Sequence, residues 1–359
     1  MTITELGLPS VHRLMPEMPT DGPMLDRFGR IAKDLRVSLT DRCNLRCTYC
    51  MPAEGLQWLP AEQLLTADEL ARLLRIAVTR LGITSVRFTG GEPLVARQLE
   101  EVVAAAAALQ PRPEIALTTN GIGLDRRAKP LKAAGLDRVN VSLDTIDPAR
   151  FAGITRRNRL ADVLAGLEAA QQAGLGPVKV NAVLNPATGL DDAVSLLRFC
   201  VRHGYQLRII EQMPLDAGHQ WRRGEALAAD QVLAALQQHF TLTPDPAPRG
   251  SAPAQLWRVD DTGLDIAGTP SAATVGIIAS VSHAFCAACD RTRLTADGQV
   301  RNCLFAQEET DLRRLMRSGA GDDAIEQAWR AAMWAKAAGH GINDPDFVQP
   351  TRPMSAIGG

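Results

Sequence analysis

Between residues 35 and 213 the chain alternates short β-like runs with longer amphipathic stretches. The runs fall at residues 35–39, 85–88, 115–118, 138–143, 178–183 and 207–210. Six strands separated by helices predict a parallel α/β unit, open or barrel-like. Helix-start signals fall in the intervals between them. Thr66 stands three residues before Glu69 at capping-box spacing, and Asp147 precedes Pro148.

These strands are not the near-continuous apolar runs expected of buried parallel strands. Leu35, Val37 and Leu39 alternate with Arg36, Ser38 and Thr40, and Arg87 and Thr89 flank Phe88. Val139, Val141 and Leu143 alternate with Asn140, Ser142 and Asp144, and Val178 and Val180 with Lys179 and Asn181. Successive side chains point to opposite faces, so one face packs under helices and the other lines a polar interior. A filled barrel would place branched apolar residues there. The pattern predicts a ligand chamber. A half-exposed antiparallel sheet is the alternative, and the intervening helices argue against it.

After Trp221 the pattern changes. A helix over 230–240, a proline-rich stretch (Pro244, Pro246, Pro248, Pro253), short strands and helices over 308–316 and 323–336 predict an appended α+β module. The expected division is a flexible arm over 1–27, a partial barrel over 28–220, the module over 221–340 and a tail over 341–359 ending in Gly358-Gly359.

A chain of 359 residues, 46% hydrophobic and 22% charged, can bury a full core. A net charge of −1 leaves no footprint for long nucleic acid, so any anionic ligand must be held by local basic groups. No membrane association is expected, because the longest apolar run, 102–109, is too short to span a bilayer. Prolines at 9, 16, 19 and 23 make residues 1–27 read as an arm rather than a signal sequence. An odd number of cysteines clustered at ligand spacings argues for a reducing compartment, the cytoplasm.

Three of the seven cysteines form Cys43-x3-Cys47-x2-Cys50. An electron-carrying cubane cluster takes four protein ligands, so three leave one iron open to bind a substrate or cofactor. Zinc sites usually pair two cysteines with a distant pair, and ferredoxin runs supply four cysteines at other spacings. The second group is Cys286-x2-Cys289-x13-Cys303, with Asp297-Gly298 offering a hairpin turn inside it. On spacing alone it suits either another cluster or a structural Cys3His zinc site completed by His283. Cys200, between Phe199 and Val201, reads as a small buried hydrophobe. Arg291-Thr292-Arg293 follows a candidate ligand. Its arginines join Arg36, Arg87 and Lys179 as candidate phosphate-binding groups, which implies a polyanionic small molecule.

With Tyr49 inside the first loop and Gly90-Gly91-Glu92-Pro93 after the second strand, the first triad resembles that of the radical S-adenosylmethionine enzymes. The resemblance implies a [4Fe-4S] cluster on Cys43, Cys47 and Cys50 whose open iron chelates S-adenosylmethionine. It also places Tyr49, Gly91, Ser142 and Met213 at the cofactor. Over residues 28–359 the chain resembles the GTP 3′,8-cyclase family of molybdenum cofactor biosynthesis. The matching segments include Asp34-Leu35-Arg36, Asp41-Arg42-Cys43-Asn44-Leu45-Arg46-Cys47, Thr118-Thr119-Asn120-Gly121, Asn140-Val141-Ser142-Leu143-Asp144, 286–303 and Gly358-Gly359.

That family resemblance implies an incomplete (βα)6 TIM-like barrel and a second [4Fe-4S] cluster on Cys286, Cys289 and Cys303, facing the guanine of GTP. GTP contacts would come from Arg36, Arg87, Thr118, Lys179, Arg291, Thr292 and Arg293, with Arg291 and Arg293 also catalytic. The implied reaction removes hydrogen from ribose C3′ and joins that carbon to guanine C8, and the diglycine tail would reach into the site. The implied partners are an electron donor of the flavodoxin or ferredoxin class, cyclic pyranopterin monophosphate synthase as the next enzyme, and a second copy in a homodimer. Two rival readings are a peptide-modifying radical enzyme with accessory clusters, and a non-catalytic protein with one redox cluster and a zinc-stabilised module.

Overall fold

The computed structural model of the chain describes residues 7–9, 14–260 and 273–358. Strands β1 (Asp34–Ser38), β2 (Ser85–Thr89), β3 (Glu114–Thr119), β4 (Arg138–Ser142), β5 (Lys179–Val183) and β6 (Gln206–Ile210) lie in chain order, each parallel to the next. Helices α1 (Ala67–Thr79), α2 (Leu99–Ala107) and α3 (Leu124–Ala134) precede or bridge the early strands. α4 (Pro148–Thr155), α5 (Leu160–Gln172) and α6 (Gly189–His203) complete the later crossovers. The α1 capping box forms, with Thr66 Oγ1 accepting from Glu69 N at 3.2 Å and Glu69 Oε2 accepting from Thr66 N at 2.9 Å. Asp147 caps α4 by accepting from Arg150 N at 2.8 Å.

The strand alternation sets the layers. Leu35, Val37, Val86, Phe88, Val139, Val141, Val180 and Leu207 are all fully buried in the core under the helices, and so is Cys200. Arg36, Arg87, Ser142, Asn181 and Arg208 point the other way, into a common interior. Among the described residues no helix is long and apolar enough to cross a membrane.

The segment after Trp221 does not stand apart. It supplies α7 (Ala229–Gln237), β7 (Leu242–Pro244), β8 (Gln255–Val259), β9 (Thr274–Ile278), β10 (Arg291–Leu294), β11 (Gln299–Arg301) and β12 (Thr310–Asp311). It then adds α8 (Leu312–Arg317), α9 (Asp322–Trp334) and α10 (Met354–Ile357). β9 pairs in parallel with β6, and β10 in parallel with β1. The sheet therefore runs β12-β11-β10-β1-β2-β3-β4-β5-β6-β9-β8-β7, so the C-terminal α+β module joins the barrel's own sheet and extends it at both edges. The helix expected over 308–316 begins later. Residues 310–311 pair as β12, and Asp311 caps α8 by accepting from Arg314 N at 2.7 Å.

The expectation of a loose arm over 1–27 fails for its described last third. Met24 is fully buried and its N–H donates to Leu81 O at 2.9 Å, while Arg330 of α9 donates to Gly22 O at 2.8 Å. Residues 1–6 and 10–13 lie outside the described residues. Just beyond the arm, Arg30 and the fully buried Asp26 pair at 2.5 Å. The same guanidinium donates to Cys286 O at 2.8 Å, Ala338 O at 2.9 Å and Ala337 O at 2.6 Å. This brace ties the start of the barrel to the second cysteine loop. Arg30→Met should strand a buried carboxylate and lower stability by about 3–5 kcal/mol. Denaturant midpoints of the two proteins compared at equal slope check it.

Candidate active site

The first cysteine loop leaves the C-terminal end of β1 and is gripped from two sides. Gly91 N donates to Thr40 O at 2.7 Å and Glu92 N to Arg42 O at 2.8 Å, zipping the segment after β2 onto it. That approach needs a missing side chain, since a Cβ on Gly91 would lie 2.4 Å from both Asp41 O and Arg42 O. On the other side, Arg46 N and Thr48 N donate to Thr155 O and Ile154 O at the end of α4. Arg156 donates to Arg46 O and Met51 O. Cys43, Cys47 and Cys50 thereby line one cavity of about 350 Å³, together with Tyr49, Gly91, Ser142 and Met213.

Buried carboxylates orient this loop. Glu92 accepts from Leu94 N, Thr119 Oγ1 and Asn120 N, and burial pushes its carboxyl up to about 7 despite these donors. Asn120 in turn donates to Asn44 Oδ1 at 2.6 Å and lies 3.8 Å from Cys43 Sγ. Tyr49 donates to Asp144 Oδ2 at 2.8 Å, and Asp144 Oδ1 accepts from Val183 N. Burial lifts Asp144 to about 6. Burial and the Asp144 charge hold the Tyr49 phenol well above its ordinary value.

The second triad lines the same cavity. Gly298, at φ 78°, turns β10 into β11, with Gly298 N donating to Thr295 O, and so returns Cys303 toward Cys286 and Cys289. His283 does not join them. It sits beside Asp230 at 3.3 Å with its side chain 60% exposed, so the Cys3His zinc arrangement is not formed. Among the described residues no three His, Cys, Asp or Glu side chains converge as ligands of a single ion.

The donor sets fit iron-sulfur clusters. All six thiols are free. Burial pushes Cys43 up to about 11 and Cys50 up to about 12, so the polypeptide alone disfavours thiolates there and cationic iron is the partner that would hold them. Cys289 differs. Against burial, Lys336 and Arg291 pull it down to about 6.

One face of the interior is basic. Pairing of β10, β1 and β2 places Arg293, Arg36 and Arg87 abreast. One row down, Asp34 faces all of them and Arg291. Against burial, these cations hold its carboxyl below the ordinary range. Burial, then Arg293 and Arg87, depresses Arg36 well below its ordinary value, a measure of how unfavourable the uncompensated cation is. Among the described residues Arg36 Nε, Arg87 Nε and Asp34 Oδ1 are buried without a hydrogen-bond partner. Such orphans fit a multiply charged oxyanion.

Most of the predicted site residues meet at this cavity, Thr118 included, but two do not line it. Thr292 alternates to the far face of β10, where its Oγ1 accepts from Trp329 Nε1 at 3.2 Å. Lys179 shares the inward face of β5 but lies two residues deeper than Asn181. It sits beside Arg208, Arg138 and Arg87, which together with burial bring its ammonium down to about 8. Sequence reasoning missed Arg208, which donates to Asn140 Oδ1 at 2.9 Å and Asn181 Oδ1 at 3.1 Å. A lone arginine in phase within an apolar strand was the available signal. The tail does reach inside. Ile357 O accepts from Ser38 Oγ at 3.0 Å, and Gly358 O accepts from Arg293 Nη1 at 2.5 Å. Gly359 lies outside the described residues.

The Radical SAM superfamily model matches residues 37–200, and the Molybdenum Cofactor Synthesis C model matches residues 205–342. A GTP 3′,8-cyclase of Mycobacterium sp. (strain KMS) is 77% identical over 359 residues, all of both chains. The chain belongs to the GTP 3′,8-cyclase family. Another cyclase, from Mycobacterium marinum, is 73% identical over 365 residues and again spans both chains completely. The structure of Streptococcus suis SuiB bound to S-adenosylmethionine aligns with a TM-score of 0.56 at 13% identity, covering 87% of this chain and 66% of SuiB. SuiB has also been solved with a precursor peptide. At this identity the likeness is one of fold, and the full-length match to cyclases separates the chain from the peptide-modifying alternative.

In this cyclase-family chain the Gly91 contact gives a local test. Gly91→Ala should displace the first loop and spare the second, so iron in anaerobically reconstituted protein should fall from about eight to about four per chain. Iron analysis with electron paramagnetic resonance of the remaining cluster measures it.

Proposed function

We propose that this chain catalyses the cyclisation of GTP between ribose C3′ and guanine C8, the first step of molybdenum cofactor biosynthesis. The observation that carries this reading is that both cysteine triads line one cavity that also presents a buried basic face, Arg36, Arg87, Arg208, Arg291 and Arg293. Cys43, Cys47 and Cys50 would hold the cluster that binds S-adenosylmethionine, and Cys286, Cys289 and Cys303 would hold the cluster on the side of the base. When bound, the first cluster and S-adenosylmethionine supply the deoxyadenosyl radical that takes hydrogen from C3′.

The chain's own residues do the positioning. Tyr49, fixed by Asp144, and Gly91, Ser142 and Met213 shape the cofactor's side of the cavity. Arg36, Arg87, Arg291 and Arg293 bind and orient GTP, with Thr118 and Arg208 on the adjoining wall. Arg291 and Arg293 also stabilise the negative charge of the cyclised nucleotide as it forms. Thr292 contributes no side chain, and the Arg293 contact to Gly358 O couples the tail to the same guanidinium. The reaction needs external electrons, which a flavodoxin or ferredoxin class donor would deliver in the cytoplasm. The product would pass to cyclic pyranopterin monophosphate synthase.

Anaerobically reconstituted protein given S-adenosylmethionine, a strong reductant and each nucleoside triphosphate in turn should form 5′-deoxyadenosine and a cyclised nucleotide with GTP. Intact clusters without such a product would overturn the assignment.

Lys179 gives a pH test. Burial, then Arg208, Arg138 and Arg87, bring its ammonium down to about 8 in the free protein, and a polyanion bound against Arg87 and Arg208 on the cavity wall would raise that value through its charge, without touching the lysine. Above about pH 8 binding must therefore draw in a proton, and GTP affinity should fall as pH rises, by up to about tenfold per unit. Lys179→Arg should flatten this component. Equilibrium dialysis of both proteins between pH 7.5 and 9, roughly bracketing that value, cancels the titration of GTP itself.

A further inference from the structure

Lys336 lies just past the end of α9 and is 3% exposed. Its ammonium donates to Arg291 O at 2.9 Å, Cys289 O at 3.3 Å and Cys289 Sγ at 3.2 Å. Those contacts use its three donors. A buried ammonium is costly unless an anion accompanies it. Two of its acceptors are neutral carbonyls, so the sulfur is the counter-charge. A purely structural strap between α9 and the backbone at 289–291 would need only the carbonyls.

The two triads sit in opposite fields. Around the first, the charged neighbours are Glu92, Asp144 and Asp216, with Arg46 opposing them. Around the second they are Lys336, Arg291 and Arg30. Hydrogen bonds to ligand sulfurs and the net local charge set the potential of an iron-sulfur cluster. Three thiolates on a cubane in its usual oxidised state leave about one net negative charge, which a neighbouring ammonium offsets.

We propose that Lys336 is a positioning residue that donates to the Cys289 thiolate and makes the second cluster easier to reduce than the first. This rests on the reading that both triads hold cubane clusters. Draining electron density through Cys289 also makes the open iron a stronger Lewis acid toward a nitrogen or oxygen donor of the substrate base. The first cluster, among carboxylates, stays the stronger reductant, which is the property radical initiation requires. The chain thus assigns different electronic roles to two chemically similar ligand sets.

The test is an electron paramagnetic resonance redox titration of the full chain carrying Cys43→Ala, Cys47→Ala and Cys50→Ala, so that only the second cluster is loaded. Iron analysis of the unaltered protein comes first. About four iron atoms per chain instead of about eight would overturn the two-cluster reading itself, independently of Lys336. With loading confirmed, Lys336→Met should retain iron and shift the midpoint to more negative potential, beyond the spread of replicate titrations. Lys336→Arg should return it most of the way, and Lys336→Gln, a donor without charge, should fall between. A Met variant with full iron and an unchanged midpoint and spectrum would overturn the tuning role. If the Met variant does not load iron, the Gln variant decides by the same criterion. Loss of iron in both would make Lys336 a brace only and overturn the proposal.

Discussion

Three guanidiniums held side by side, with one carboxylate beneath them, are the constraint around which this molecule is organised. Arg293, Arg36 and Arg87 occupy equivalent positions on β10, β1 and β2, and Asp34 answers them from the row below. Like charges on neighbouring strands oppose sheet formation. Stability must therefore come from the other face, where Leu35, Val37, Val86 and Phe88 pack against helices. The sheet spends its inner surface on ligand recognition and relies on its outer surface for cohesion.

The same row explains why the C-terminal module shares one sheet with the barrel. Half of the basic face, Arg291 and Arg293, comes from residues more than two hundred positions after Arg36, and only β10 pairing beside β1 brings them into register. The candidate cluster cysteines follow the same logic, since Cys289 lies two residues before β10 and Cys303 two residues after β11. The two cysteine triads thereby line one continuous surface. Arg30 and Lys336 then fasten the second loop from outside the sheet.

Much of this was legible in the sequence because it depends on local periodicity. Alternation in β1, β2, β4 and β5 gave both faces, the Thr66 and Asp147 caps gave helix starts, and cysteine spacing gave the two candidate triads that meet at one cavity. The losses have physical causes. Thr292 sits between two inward arginines, and the period of two that turned them inward necessarily turned it outward, onto Trp329. The packing of Met24 and the edge positions of β9 and β10 depend on contacts between distant segments, which no local pattern encodes. Lys336 was invisible for the same reason, since nothing near it in sequence marks a lysine whose acceptors include a cysteine sulfur forty-seven residues away.

Edge pairing by β9 and β10 also bears on how the molecule is made. The six central strands can associate in order as they leave the ribosome, but β1 and β6 remain unpaired on their outer sides until residues near 275 and 291 arrive. Unpaired parallel edges template association with other chains, and contacts this distant in sequence form slowly. The C-terminal segment, besides supplying ligands, acts as the protector of both exposed edges, and a chain shortened to its central strands would be prone to aggregation as well as inactive.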